Sequence, residues 1–146
     1  METSYPTKII TLWGVFLLGT LFHTQLGLMP LFHGIDIAHT EGDATTEIGW
    51  ILWLMLAFFA LPLLLMVATL FTHSRQFRGF HFVVTALYSV LNFLHIVMDL
   101  GVQPIVWSQI TLMVILFLVG LLLNIVSYRW MRHWRVSDRL QQPISL

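Results

Sequence analysis

The 146-residue chain contains no cysteine. That excludes disulfides, thiolate metal sites, iron–sulfur ligation and thiol redox chemistry. Charge is nearly as scarce. Only 10% of residues are Asp, Glu, Lys or Arg, against 58% hydrophobic, whereas a water-soluble domain carries about 25% charged residues. So few charges cannot clothe a surface in water. The formal net charge is zero, so no global field draws in nucleic acid or an acidic partner. Phosphate-cradling glycine loops, a Gly-x-Ser-x-Gly elbow and a His-Glu-x-x-His motif are missing too. No arginine lies in the middle of an apolar run, so there is no voltage-sensing helix. Repeats, low-complexity tracts and interdomain linkers are also lacking, which leaves residues 1–146 as a single domain.

What the chain does have is four long apolar stretches, at about 9–31, 48–71, 80–100 and 105–130. Each is long enough to cross a bilayer, which takes about 20 residues of helix. The first continues through Leu28-Met29-Pro30-Leu31-Phe32. It outlasts the short apolar core of a signal peptide and predicts a retained helix whose outer end is marked by Pro30. Pro62 predicts a kink in the second. Trp50, Trp53, Trp107, Tyr128 and Trp130 fall near span ends, where amphipathic rings favour the interface. The fold class expected is an all-α integral membrane protein, an antiparallel four-helix transmembrane bundle with sequential helices as neighbours.

Charge placement sets the expected orientation. Lys8 precedes the first stretch, Arg75 and Arg78 fall between the second and third, and Arg129, Arg132, Arg135 and Arg139 follow the fourth. All Lys and Arg thus lie on one side. The other side holds Asp36, Glu41, Asp43 and Glu47, then the turn at Gly101-Val102-Gln103-Pro104. The positive-inside rule makes both termini cytoplasmic, as in a bacterial-type inner membrane. The basic tail reads as an anchor to anionic lipid. The second stretch is apolar all round and is expected to face lipid or another subunit, either a different chain or a second copy.

Polar groups inside a span are costly, so they carry the information. His81, Thr85, Tyr88, Asn92, His95 and Asp99 recur at offsets of four and three, which keeps them on one helical face. That face must look into the bundle, because lipid offers no hydrogen bonds. The first stretch carries His23 between Gly19 and Gly27. At about 1.5 Å per residue, His23 lies about 12 Å and His95 about 8 Å inside the outer ends of their spans. Two imidazoles from different helices therefore reach similar depths.

Two chemistries compete for this pair. Glycines one turn either side of His23 would leave a flat wall for a porphyrin, making His23 and His95 axial ligands of a haem b, with Gly19 and Gly27 as its clearance. His81 and His95 also stand fourteen residues apart, about 21 Å along the axis and on nearly the same side. That spacing is similar to the one by which a single helix of the cytochrome b family ligates two stacked haems, though the likeness covers two residues only. The position fourteen before His23 is Ile9, so no second helix repeats the spacing, and one outer haem is the better expectation. The function would then be membrane electron transfer, as a small b-type cytochrome or haem-bearing subunit, with a quinone as redox partner.

The competing chemistry is a bare ion. His33 and His39 in the first outer loop, with His23, His95 and Asp99, form a His/Asp set suited to zinc, copper or iron. It would serve a redox enzyme or its metallation. Asp99 would be either a ligand or an acceptor for the far N–H of His95. His73, His81 and His133 read more simply as interfacial residues. A third possibility needs no cofactor: the stripe packs helices together, and the chain is a non-catalytic accessory subunit of a larger membrane complex.

Overall fold

A computed structural model describes residues 3–35, 44–72, 74–101 and 105–141. Four helices account for nearly all of them: α1 (Tyr5–Phe32), α2 (Ala44–Phe71), α3 (Arg75–Leu100) and α4 (Trp107–Gln141). All four are long and apolar enough to cross a membrane.

Local chemistry sets the helix ends, and two of them differ from the hydropathy boundaries. The Ser4 side chain caps α1 by accepting from the Thr7 backbone N–H, with Pro6 in the first turn. There the ring's missing N–H costs nothing. Ser74 caps α3 in the same way, accepting from the Phe77 N–H at 3.1 Å. Arg75 and Arg78, expected in a loop, therefore belong to the first turn of α3. A polar cap starts a helix wherever it satisfies orphan N–H groups, whatever the hydropathy of the turn that follows. At the other end of α1, Gly34 adopts φ +72. Its N–H donates to the Leu31 carbonyl, and the Ile35 N–H reaches back to the Pro30 carbonyl. This pair of bonds is the Schellman closure, which glycine favours because it lacks a Cβ.

Sequential neighbours α3–α4 and α1–α2 pack together and α4 returns to α1, whereas α2 makes little contact with α3. α4 packs along both α1 and α3, while α2 leans more lightly on α1. Gly19 and Gly27 of α1 meet Leu116 and Gln109 of α4, in that order. Phe93 and Arg78 of α3 meet Phe117 and Trp130 of α4. Both series run in opposite directions along α4, so α4 is antiparallel to α1 and α3. Small and polar residues allow the closest approach: Gly120 lies against Ser89 Oγ, which accepts from Asn124 Nδ2 at 2.8 Å. With no hydrophobic drive between helices in lipid, such packing and hydrogen bonding hold a bundle together.

The core is an aromatic cluster. Trp13 meets Phe16, Tyr88 and His81 edge to face, the preferred arrangement of ring quadrupoles. Trp130 is buried beneath Arg78, whose guanidinium sits 4.8 Å from its ring, so it is a core residue and not an interfacial anchor. Trp50, Trp53, Trp107 and Tyr128 are exposed. The α3 stripe faces inward at His81, Thr85, Tyr88 and Asn92, while Val83 and Val90 face out. His95, expected on the same inward face, is half exposed because it lies near the end of the helix, where α3 opens onto a cavity beside α2. α2 is exposed along most of its length.

One hydrogen bond ties α2 to α3. The Tyr88 hydroxyl donates to the Phe58 carbonyl at 2.7 Å. Phe58 lies four residues before Pro62, which has no N–H to complete that helical bond. The orphaned carbonyl is thereby satisfied from the neighbouring helix.

Candidate metal centre

His23 lies on α1, and His95 and Asp99 lie one turn apart on α3. Spacing of four residues puts the α3 pair on one face. The packing of α1 and α3 against α4 brings His23 opposite them. The Nε2 atoms of His23 and His95 are 3.3 Å apart. Asp99 Oδ2 lies 3.5 Å from His95 Nε2 and 3.7 Å from His23 Nε2. His23 and Asp99 are mostly covered, while His95 is half exposed.

The two ring nitrogens share a long hydrogen bond, while both Asp99 distances exceed the roughly 2.7–3.2 Å of a good N–H···O bond. The three atoms suit a shared ion better. A single point lies about 2.0 Å from all three atoms, and zinc–nitrogen and zinc–carboxylate bonds are about 2.0–2.2 Å. All three convergent atoms are of ligand type. Asp99 also faces the same His95 nitrogen that faces His23. It does not approach the far N–H of His95, as an outer-sphere tautomer-fixing carboxylate would.

A haem fits this arrangement less well. Axial ligands sit on opposite sides of the iron, so their nitrogens stand two bonds, or about 4 Å, apart. Here the separation is 3.3 Å, with Asp99 Oδ2 near both rings. The glycine clearance is already filled. A methyl at Gly19 would collide with Leu116, and one at Gly27 would come 3.1 Å from Gln109 Nε2. Both glycines serve close contact with α4 and form no porphyrin wall. From sequence, a glycine that opens space and one that admits a neighbour look identical.

Of the other two expected ligands, His33 and His39, only His33 is among the described residues, and it stands apart from the cluster. His33 caps the end of α1 and is exposed, and it does not join His23, His95 and Asp99 in their group. His39 and His73 lie outside the described residues. His81, expected at the interface, is fully buried and its Nε2 accepts from Trp13 Nε1 at 3.1 Å. Trp13 was the missing partner: an indole N–H buried within an apolar stretch needs an acceptor, and that was the available signal. His133 is exposed, with its ring 5.7 Å from that of Tyr5.

Beside the His pair lies a cavity of about 530 Å³ between α1, α2 and α3. His23, His95 and Asn92 form part of its wall, and Leu54, Phe58 and Met98 part of its apolar lining. No family model, no curated protein and no solved structure matches the chain.

Proposed function

We propose that the protein is a multi-pass membrane protein that holds one transition-metal ion on His23, His95 and Asp99, at the outer end of an antiparallel transmembrane bundle. The carrying observation is the convergence of three ligand atoms, from two helices, around one point at bonding distance. Two imidazoles and one carboxylate leave coordination positions open, the pattern of working rather than purely structural metal sites. Zinc, copper and iron are the ions such a set accommodates. The ion serves a membrane redox enzyme or its metallation.

Membrane placement follows from the four apolar helices and from charge. Tyr5 stacks on His133, and Arg78 on Trp130, so the helix ends bearing the Lys and Arg residues gather at one end of the bundle. That end faces the cytoplasm, with both termini, in a bacterial-type inner membrane. The metal site then faces outward. The exposed apolar length of α2 meets lipid or a further subunit.

Cobalt(II) titration of the purified protein in detergent tests the metal reading. Four-coordinate cobalt absorbs in the visible far more strongly than its aqueous ion. The bands should saturate at about one equivalent, as a single set of ligands requires. They should be missing in His95→Ala. Saturable bands of equal strength in His95→Ala would refute the assignment.

A further inference from the structure

The cavity beside the His pair has a composition that restricts what it can take. Its volume of about 530 Å³ falls within the range of small-molecule sites, about 300–1,000 Å³. Its rim residues Leu54, Leu94 and Met98 are exposed, so it opens sideways between α2 and α3. In a bilayer that opening faces lipid, so the ligand arrives through the hydrocarbon. The lining contains no Lys, Arg, Asp or Glu. A phospholipid headgroup therefore finds no counter-charge, and burying it unpaired is prohibitive.

What the wall offers is neutral hydrogen bonding. Asn92 is 6% exposed and lines the cavity, yet its Oδ1 has no hydrogen-bond partner among the described residues. His23 lines the cavity too, and its Nδ1 is likewise buried without a partner. A hydroxyl both donates and accepts, so it satisfies either end of an amide and either state of an imidazole nitrogen. The rest of the wall favours an aromatic ring. Phe58 and Phe59 offer ring faces and edges, and Met55, Met98 and Met113 offer thioethers, which make favourable contacts with aromatic rings.

We propose that this cavity binds a lipid-soluble phenol of the para-quinol class. The ring lies between α2 and α3 against Phe58 and the methionines. A ring hydroxyl bonds Asn92, and the alkyl chain leaves past Leu54 into the bilayer. This goes beyond the metal reading and rests on the cavity alone. It places an oxidisable, hydroxyl-bearing molecule next to His23 and His95.

The test is binding of a short-chain alkyl benzoquinol to the full-length protein in detergent under anaerobic conditions, by calorimetry or intrinsic tryptophan quenching. Wild type should bind saturably. Asn92→Leu should bind about tenfold more weakly, the worth of about one hydrogen bond left unmade. Leu54→Trp, which blocks the mouth from an exposed position, should bind weakly while the chain keeps its helicity. The dimethyl ether of the quinol, and a saturated alcohol of equal chain length, should compete poorly. Asp99→Asn should still bind, because Asp99 does not line the cavity. That variant separates failure of this inference from failure of the metal reading. Equal binding of the ether or the saturated alcohol would overturn the proposal. So would unchanged affinity in both Asn92→Leu and Leu54→Trp, or no saturable quinol binding by wild type.

Discussion

The Tyr88 hydroxyl lies 2.7 Å from the carbonyl oxygen of Phe58, the carbonyl that Pro62 leaves without its helical donor. One residue's missing N–H on α2 thereby becomes the anchor for a side chain on α3. Few other contacts hold α2 against that helix, so its approach to α3 relies on this bond and on the 4.8 Å ring contact between Phe58 and Tyr88, while α1 supplies its other support.

Tyr88→Phe should destabilise the fold by about 0.6–2 kcal/mol, the range for an interhelical hydrogen bond in a membrane protein. Pro62→Ala restores an N–H for the Phe58 carbonyl. In the double variant, the cost of Tyr88→Phe should therefore shrink towards zero. A double-mutant cycle from reversible unfolding in mixed micelles measures this directly. Strict additivity would mean that the two residues are not coupled.

Two glycines of α1 should respond oppositely to alanine. Nothing lies within 4 Å of a Cβ built on Gly14, whereas one on Gly19 runs into Leu116. Gly14→Ala should be neutral or stabilising by up to about 1 kcal/mol from helix propensity. Gly19→Ala should lose about 1–3 kcal/mol through overpacking. Thermal unfolding followed by helicity compares the two. Equal effects would contradict the close α1–α4 contact.

A chain without cysteine makes topology simple to read. Single cysteines at Thr45 and Ser137 should label from opposite sides of sealed vesicles with an impermeant thiol reagent. Labelling from the same side would end the four-span arrangement.

Asp99→Asn distinguishes a ligand from a supporting group. Outer-sphere partners of a metal site typically contribute 10–100-fold in affinity. As a direct ligand, Asp99 should contribute more than that. Metal competition with a calibrated chelator gives the ratio, and a loss of less than about 100-fold would place Asp99 outside the coordination sphere.

Much of this was legible from residue spacing. The inward face of α3 follows from offsets of three and four, and the approach of His23 to His95 from their matched depth. What spacing does not carry is the identity of partners across helices. His81 looked interfacial because it stands near arginines in sequence, yet α1 supplies Trp13 as its donor. Gly19 and Gly27 looked like clearance for a flat cofactor, yet α4 fills the space with Leu116 and Gln109. Pro62 suggested a kink, but only the fold reveals which donor reaches the carbonyl it strands. Sequential pairing holds for α1–α2 and α3–α4 and is weak only for α2–α3. Short loops fix which helices follow one another, whereas small and polar side chains on α4 decide which pack closely.

The central claim is that His23, His95 and Asp99 hold one metal ion. The most direct measurement is elemental mass spectrometry of the protein purified in detergent, stripped with chelator, reloaded with zinc, copper or iron, and desalted. Wild type should retain about one equivalent of one of these ions, as a single three-ligand site demands. The double variant His23→Ala, His95→Ala should retain almost none while keeping its helicity. Retention well below one equivalent of every ion by wild type, or equal retention by the double variant, would contradict the account.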